Sequence, residues 1–348
     1  MRNLVTKLEK PFPILINLHL CSFDFFEPFG PDPSKFLGGG SAHLRSLTLR
    51  GIKKIPDLPK LLLTTPNLVT LCLDIDSRYH RPDEMVTVLS ALTSLEQVEL
   101  RVTDYSFPSP PENRSLPLLT RTVLPSLAML KIEGDTGNLE DYMAQIDAPL
   151  LDHLDIRIIF NFFNRSIVLD TPQLLRFISR SVQQPPVQAF IRFYTHRFEI
   201  QFAFSSSFHT LKLGIFCGEP ERQFPCLPQS FRSAAFPIHP LDLFIEDKGP
   251  FSEQCQRNHT ENTRWLGLLQ KFRGVINLYL AKEIAMHIAH ALQELVGERV
   301  MEVLPILENV FIDEFQPSGP VHEVIKEFVA ARRLAGHPIT ISGWNKKC

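Results

Sequence analysis

The chain has 348 residues, 44% of them hydrophobic and 21% charged, with a formal net charge of −2. That length can bury a large core unaided, and the near-neutral balance gives no field that would gather a nucleic-acid backbone or an anionic membrane surface. Six cysteines, Cys21, Cys72, Cys217, Cys226, Cys255 and Cys348, form no Cys-x-x-Cys pair, which argues against a zinc site or disulfide framework and for thiols in a reducing compartment, cytoplasmic or nuclear.

In chain order, the first element is "LINLHLCSF" from Leu15, preceded by Lys7 and Lys10. Pro11, Pro13, Asn17 and His19 interrupt the apolar run, so it reads as a strand and not as a signal peptide. The same phrase returns as "LRSLTLRGI" from Leu44, "LVTLCLDI" from Leu68, "LEQVELRV" from Leu95, "LAMLKIEG" from Leu127 and "LDHLDIRII" from Leu151. Weaker copies are "FHTLKLGIF" from Phe208, "VINLYLAKE" from Val275 and "LENVFIDEF" from Leu307. Within each phrase the apolar period is 2, that of a strand with one buried face.

Between phrases the period lengthens. Met85, Val88, Leu89 and Leu92 fall at helical spacing, as do Leu139, Tyr142, Met143 and Ile146, and again Val321, Val324, Ile325 and Phe328 after Pro320. Strands alternating with helices, each unable to bury its apolar face alone, predict a leucine-rich-repeat solenoid: a right-handed parallel strand-helix horseshoe with irregular long repeats and loop insertions. A doubly wound α/β enzyme would also alternate, but no glycine-rich phosphate loop follows any strand. The reading is one leucine-rich-repeat domain over 1–348, with a proline-rich loop at 103–126, an irregular insertion at 183–262, and a C-terminal helix and capping strand at 320–348.

If Leu47 and Leu49 face the core, their neighbours face solvent. The inner column of such positions is Ser46, Thr70, Gln97, Met129 and His153. The middle column is Thr48, Cys72, Glu99, Lys131 and Asp155, and the outer is Arg50, Asp74, Arg101, Glu133 and Arg157. Signs alternate along the outer column, as cross-strand attraction favours in neighbouring strands. The expected protein-binding face comprises Ser46, Thr48, Arg50, Thr70, Cys72, Asp74, Gln97, Glu99, Arg101, Met129, Lys131, His153 and Asp155, with the inner column the better placed for contacts.

Catalytic signatures are missing: no nucleophile elbow, Walker loop or kinase set. Glu283, His287, His290 and Glu294 share a helical stripe with metal-ligand chemistry, but Ile284, Ile288, Leu292 and Leu295 make an adjacent face a core face, so the stripe reads as the solvated side. Ser205–Ser207 read as a turn, "RGIKK" at 50–54 as a solvated loop, and Trp265 and Trp344 as packing residues. No catalytic residue, cofactor or metal is expected, and the protein is expected not to be an enzyme, with an enzyme whose site has no sequence signature as the remote alternative.

The phrases "SLTLRGI", "LPKLLLTTPNLVTL", "LSALTSLEQVEL", "LEDYMAQIDAPLLDHLDI", "LDTPQLLRFISR", "ALQELVGERVMEVLPILENVF" and "PSGPVHEVIKEFVAARRLAGHPI" together resemble the fungal F-box-associated leucine-rich-repeat proteins. The resemblance implies a non-enzymatic protein-recognition module that presents a substrate to a ubiquitin ligase. The F-box itself does not stand in this chain, whose first rung is "LINLHL". The chain is therefore read either as a fragment of a longer product or as a stand-alone repeat scaffold. A ubiquitin-ligase adaptor is a partner only if an upstream F-box exists; otherwise the partner is an unidentified protein, with no nucleic acid and no membrane.

Overall fold

The computed structural model describes residues 7–21, 35–39, 42–52, 55, 57–103, 121–159, 171–181, 184–205, 210–216, 239–249, 259–295 and 297–344. They fall into two compact units, Met1–Ile159 with Thr171–Ser181, and Phe160–Asp170 with Val182–Cys348. The expected proline-rich loop lies mostly outside the described residues.

The first unit carries β1 (Asn17–Cys21), β2 (Ser46–Arg50), α1 (Leu58–Leu63), β3 (Thr70–Asp76), α2 (Pro82–Ala91), β4 (Gln97–Thr103), β5 (Thr122–Val123), β6 (Met129–Gly134), α3 (Thr136–Gln145), β7 (Ile146–Asp147), β8 (His153–Ile159) and α4 (Pro172–Ser181). β1, β2, β3, β4, β6 and β8 pair side by side, all parallel, and β5 pairs with β7. Alternation sets the layers: Leu47, Leu49, Leu71, Leu73, Val98, Leu100, Leu130, Ile132, Leu154 and Ile156 are buried with the helix residues Leu61, Met85, Leu89, Leu139, Tyr142 and Phe177.

One helix start is built across helices. Glu140 of α3, buried, accepts hydrogen bonds from the backbone N–H groups of Gln173 and Leu174 at 2.9 Å each. Its carboxylate thus satisfies two of the donors that α4 leaves open and complements that helix's dipole.

The second unit holds β9 (Pro186–Tyr194), β10 (Arg197–Phe204), β11 (Thr210–Phe216), β12 (Asp242–Asp247), α5 (His259–Leu269), β13 (Asn277–Leu280), α6 (Lys282–Gln293), β14 (Asn309–Asp313), α7 (Pro320–Leu334) and β15 (Thr340–Trp344). Its strand order is β11-β10-β9-β12-β13-β14-β15. From β9 to β15 the pairing is parallel, but β10 runs antiparallel to both β9 and β11. Ala189, Ile191, Phe193, Leu243, Ile245, Leu278, Leu280, Val310 and Ile312 form the buried side, with Trp265 packed edge-on to Phe193 at 5.7 Å.

These directions overturn the predicted fold. Among the described residues the strands pair in both parallel and antiparallel directions, not as a parallel leucine-rich-repeat horseshoe. The reason is connection length. Only Thr195 and His196 separate β9 from β10, and 205–209 separate β10 from β11, whereas a parallel return needs a crossover of a dozen or more residues. Thr210–Phe216 of the phrase "FHTLKLGIF", read as a rung, form the antiparallel β11, and the region expected as an insertion at 183–262 supplies four strands. The architecture is a mixed α/β fold.

α7 contains a buried arginine. Arg332 is 0% exposed and donates from Nη2 to the carbonyls of Pro305 and Leu307 at 3.2 and 2.9 Å. Burial holds its pKa below the usual arginine value, and the carbonyls take the place of a counter-charge in tying the helix to the preceding turn.

Candidate functional site

Each unit turns one side of its strands away from the helices, and the two sides carry different chemistry. In the first unit, strand register aligns Ser46, Thr70, Gln97, Met129 and His153 in one column and Thr48, Cys72, Glu99, Lys131 and Asp155 in the next. Asp74, Arg101, Glu133 and Arg157 align beyond them. All thirteen expected site residues therefore share one sheet face, but Cys72 and Asp74 are buried within it.

The charges on this face are spent on one another. Glu99 takes Lys131 Nζ at 2.8 Å and Arg50 Nη2 at 3.0 Å, Arg101 pairs with Glu133 at 2.8 Å, and Arg157 pairs with Asp155 at 3.2 Å. Arg50 reaches past β3 to Glu99, while Asp74 accepts the Gly51 N–H at 2.7 Å. The Arg50 Nε also donates to Cys72 Sγ at 3.1 Å. Burial pushes the Cys72 thiol up despite that bond, so it is held as a thiol and not as an activated nucleophile. Burial works against the Glu99 carboxylate too, yet its bond to Lys131 and the charges of Lys131, Arg50 and Arg101 hold its pKa below the usual value.

The second unit presents a row of rings. Phe190, Phe244, Tyr279 and Phe311 stand in register on four neighbouring parallel strands. Successive ring centroids are 4.6, 4.2 and 4.7 Å apart, with interplanar angles of 13°, 9° and 14°. All four are half-buried. Since the stacking axis runs from strand to strand, solvent meets ring edges along the row. Trp344 folds back from β15 to meet Tyr279 at 5.3 Å and Phe244 at 5.9 Å, and its indole N–H donates to the Leu280 carbonyl at 3.4 Å.

Beside the rings runs a chain of polar side chains. Thr340 Oγ1 donates to Asn309 Oδ1 at 2.5 Å, Asn309 Nδ2 to Asn277 Oδ1 at 2.8 Å, and Asn277 Nδ2 to Asp242 Oδ1 at 2.8 Å. Gln188 Nε2 reaches Asp242 Oδ2 at 3.2 Å from the other side. Every donor points toward the Asp242 carboxylate, an arrangement in which the bonds polarise one another. Burial, with the Asp242 charge, pushes the Tyr279 phenol up. On the far side of the rings, Arg192 bonds both Glu246 at 3.1 Å and Glu199 at 3.2 Å, with its guanidinium carbon 5.0 Å from the Phe190 ring centroid.

This face was missed by reasoning from leucines. Its signal is a four-residue phrase, polar-apolar-aromatic-aliphatic: "QAFI" from Gln188, "DLFI" from Asp242, "NLYL" from Asn277 and "NVFI" from Asn309. The residues between the buried aliphatics carry the message. Of the other candidates, the His287 and His290 stripe lies on α6, and Glu294 accepts from Asn262 at 2.6 Å. Among the described residues no group of three His, Cys, Asp or Glu side chains is placed to hold a metal ion. Lys53, Lys54, Ser206 and Ser207 lie outside the described residues.

No protein-family model matches the chain and no curated protein is detectably similar to it. The resemblance to F-box-associated leucine-rich-repeat proteins is therefore corrected: the phrases that suggested it are period-2 strands of a mixed sheet together with amphipathic helices such as α4 and α7, patterns that any α/β fold shares. The substrate-receptor role and the repeat-scaffold role fall with it, because both required a parallel repeat architecture that β9, β10 and β11 do not have.

Proposed function

We propose that the protein is a non-catalytic binding protein whose second unit holds a partner polypeptide on its aromatic and amide face. The observation that carries this reading is the half-exposed stack of Phe190, Phe244, Tyr279 and Phe311 on the side of the sheet away from the helices. Aromatic side chains concentrate binding energy at interfaces, because they bury a large area with little rotamer entropy to lose. Ring edges carry the positive end of the quadrupole and so favour carbonyl oxygens and the faces of other rings. A polypeptide supplies both.

Charge narrows the partner. Asp242 and Asp313 lie on the same face as the rings, which disfavours a phosphate backbone and suits a segment carrying a basic residue. The charged groups of the first unit's face are engaged with one another, which supports the non-catalytic reading. We place the protein in the cytoplasm or nucleus, a reading supported by the unpaired thiols of Cys21 and Cys72.

The test is a random peptide display library panned on the full chain, with the selected peptides titrated against wild type and Tyr279→Ala. Selected peptides should combine apolar or aromatic residues with a basic one and bind the variant about tenfold more weakly, the equivalent of roughly 1.4 kcal/mol. Circular dichroism establishes that the variant is folded. Failure to select any peptide, or equal binding to both proteins, overturns the reading.

A further inference from the structure

The ring row ends differently at its two sides, and the difference identifies a subsite. At the β9 end, Phe190 is closed by the protein's own guanidinium: Arg192 sits 5.0 Å from the ring centroid and is held there by the Glu246 carboxylate at 3.1 Å. At the β15 end, the position in register with Phe311 is Ser342, so a hydroxymethyl group stands where the next ring would be. Trp344 does not fill that place, because its indole lies over Tyr279 and Phe244.

A carboxylate accompanies this end as well. Asp313 is two residues beyond Phe311 on β14, hence on the same face, and is half-buried. No ion pair joins it among the described residues; Lys282, whose charge it feels, is bonded to Glu314 at 2.9 Å. Neighbouring strands are about 4.8 Å apart, and the rings repeat at 4.2 to 4.7 Å. The place above Ser342 therefore suits one planar group of ring thickness that also carries positive charge.

Resting on the binding role proposed above, we infer that Phe311, Asp313 and Ser342 form a subsite for an arginine side chain of the partner polypeptide. The guanidinium stacks on Phe311 and pairs with Asp313, reproducing at β15 the arrangement that Arg192 makes within the molecule at β9. Arginine is preferred to lysine because a planar, weakly hydrated guanidinium continues a stack that a compact ammonium cannot. A nucleobase would meet the ring but bring phosphate toward Asp313.

The experiment uses the full chain labelled with ¹⁵N, whose two tryptophans give two indole signals. Acetyl-Gly-Arg-Gly-amide is titrated in; the Trp344 indole signal should move and that of buried Trp265 should not. The citrulline peptide, isosteric but neutral, and Asp313→Asn should each weaken binding about tenfold. Ser342→Arg, which supplies its own guanidinium, should abolish the titration and raise Tm, and so gives a result even if another variant folds poorly. Equal binding of the citrulline peptide, or by Asp313→Asn, overturns the arginine assignment, as does a Ser342→Arg protein that still binds. Adenosine moving Trp344 more than the arginine peptide also overturns it. If displayed peptides without arginine bind through Tyr279, the face binds polypeptide and only the subsite is wrong; if no peptide binds, both readings fail.

Discussion

The two open sheet faces solve the same problem with opposite chemistry. In the first unit, neighbouring strands are joined by ion pairs such as Glu99 to Lys131 and Arg101 to Glu133; in the second, they are joined by stacked rings and a directed chain of amides from Thr340 to Asp242. An ion-pair lattice saturates itself and is screened by salt. A ring stack saturates only along its axis, leaving edges and ends able to meet something else. The second face is therefore the one with binding capacity to spare, and the contrast can be broken experimentally in four steps.

The largest effect tests the strand alternation under both faces. Leu71 is fully buried and Thr70, its neighbour, is half-buried on the open side. Leu71→Asp should cost more than about 3 kcal/mol and unfold the first unit, while Thr70→Asp should stay within about 1 kcal/mol of wild type, as measured by urea unfolding. Equal losses at the two positions would mean that the faces have been assigned to the wrong sides.

The next effect concerns the stack. Phe244 lies between Phe190 and Tyr279 and also meets Trp344, so Phe244→Ala removes contacts on both ring faces. A loss of about 2 to 3 kcal/mol is expected, less than for a fully buried phenylalanine. Phe244→Leu should recover part of it. A loss under about 0.5 kcal/mol would show that the stack is decoration on a sheet held by other means.

How much of this was legible in the sequence depends on which residues carried the signal. The leucine phrases located β1, β2, β3, β4, β6 and β8, and the alternating charges of Asp74, Arg101, Glu133 and Arg157 anticipated their register. Strand direction was not legible from periodicity, because parallel and antiparallel strands share a period of 2. It was set by Thr195 and His196, a two-residue link that forces a hairpin and that no apolar pattern marks. The ring row escaped because attention to Leu278, Leu280, Val310 and Ile312 passed over Tyr279 and Phe311 between them.

A smaller effect separates the amide chain from the rings. Asn277 both donates to Asp242 and accepts from Asn309, so Asn277→Ala leaves two half-buried partners to water. The expected cost is about 1 kcal/mol, since solvent can replace part of what is lost. Because Asn277 is not a ring, the peptide affinity of the face should fall less than in Tyr279→Ala. Affinity lost equally in both would show that binding runs through the amides.

The smallest effect is in the first unit, and its pH dependence makes it measurable. The folded Glu99 carboxyl sits below its ordinary value of 4.5, against the effect of burial, through its bond to Lys131 and the charges of Lys131, Arg50 and Arg101. Between the folded and unfolded pKa values the unfolded chain binds more protons, so stability rises with pH there. The contribution is thus fully present above the unfolded value and is lost as pH falls through the folded one. Comparing wild type with Glu99→Gln should show a difference of about 0.5 to 1 kcal/mol at pH 7, shrinking in high salt and disappearing below the ordinary carboxylate range. The Phe244 ring carries no titrating group, so Phe244→Ala should cost the same at both pH values. A Glu99→Gln penalty that persists in acid would mean that the side chain acts by packing, and the self-neutralising lattice would lose its central pair.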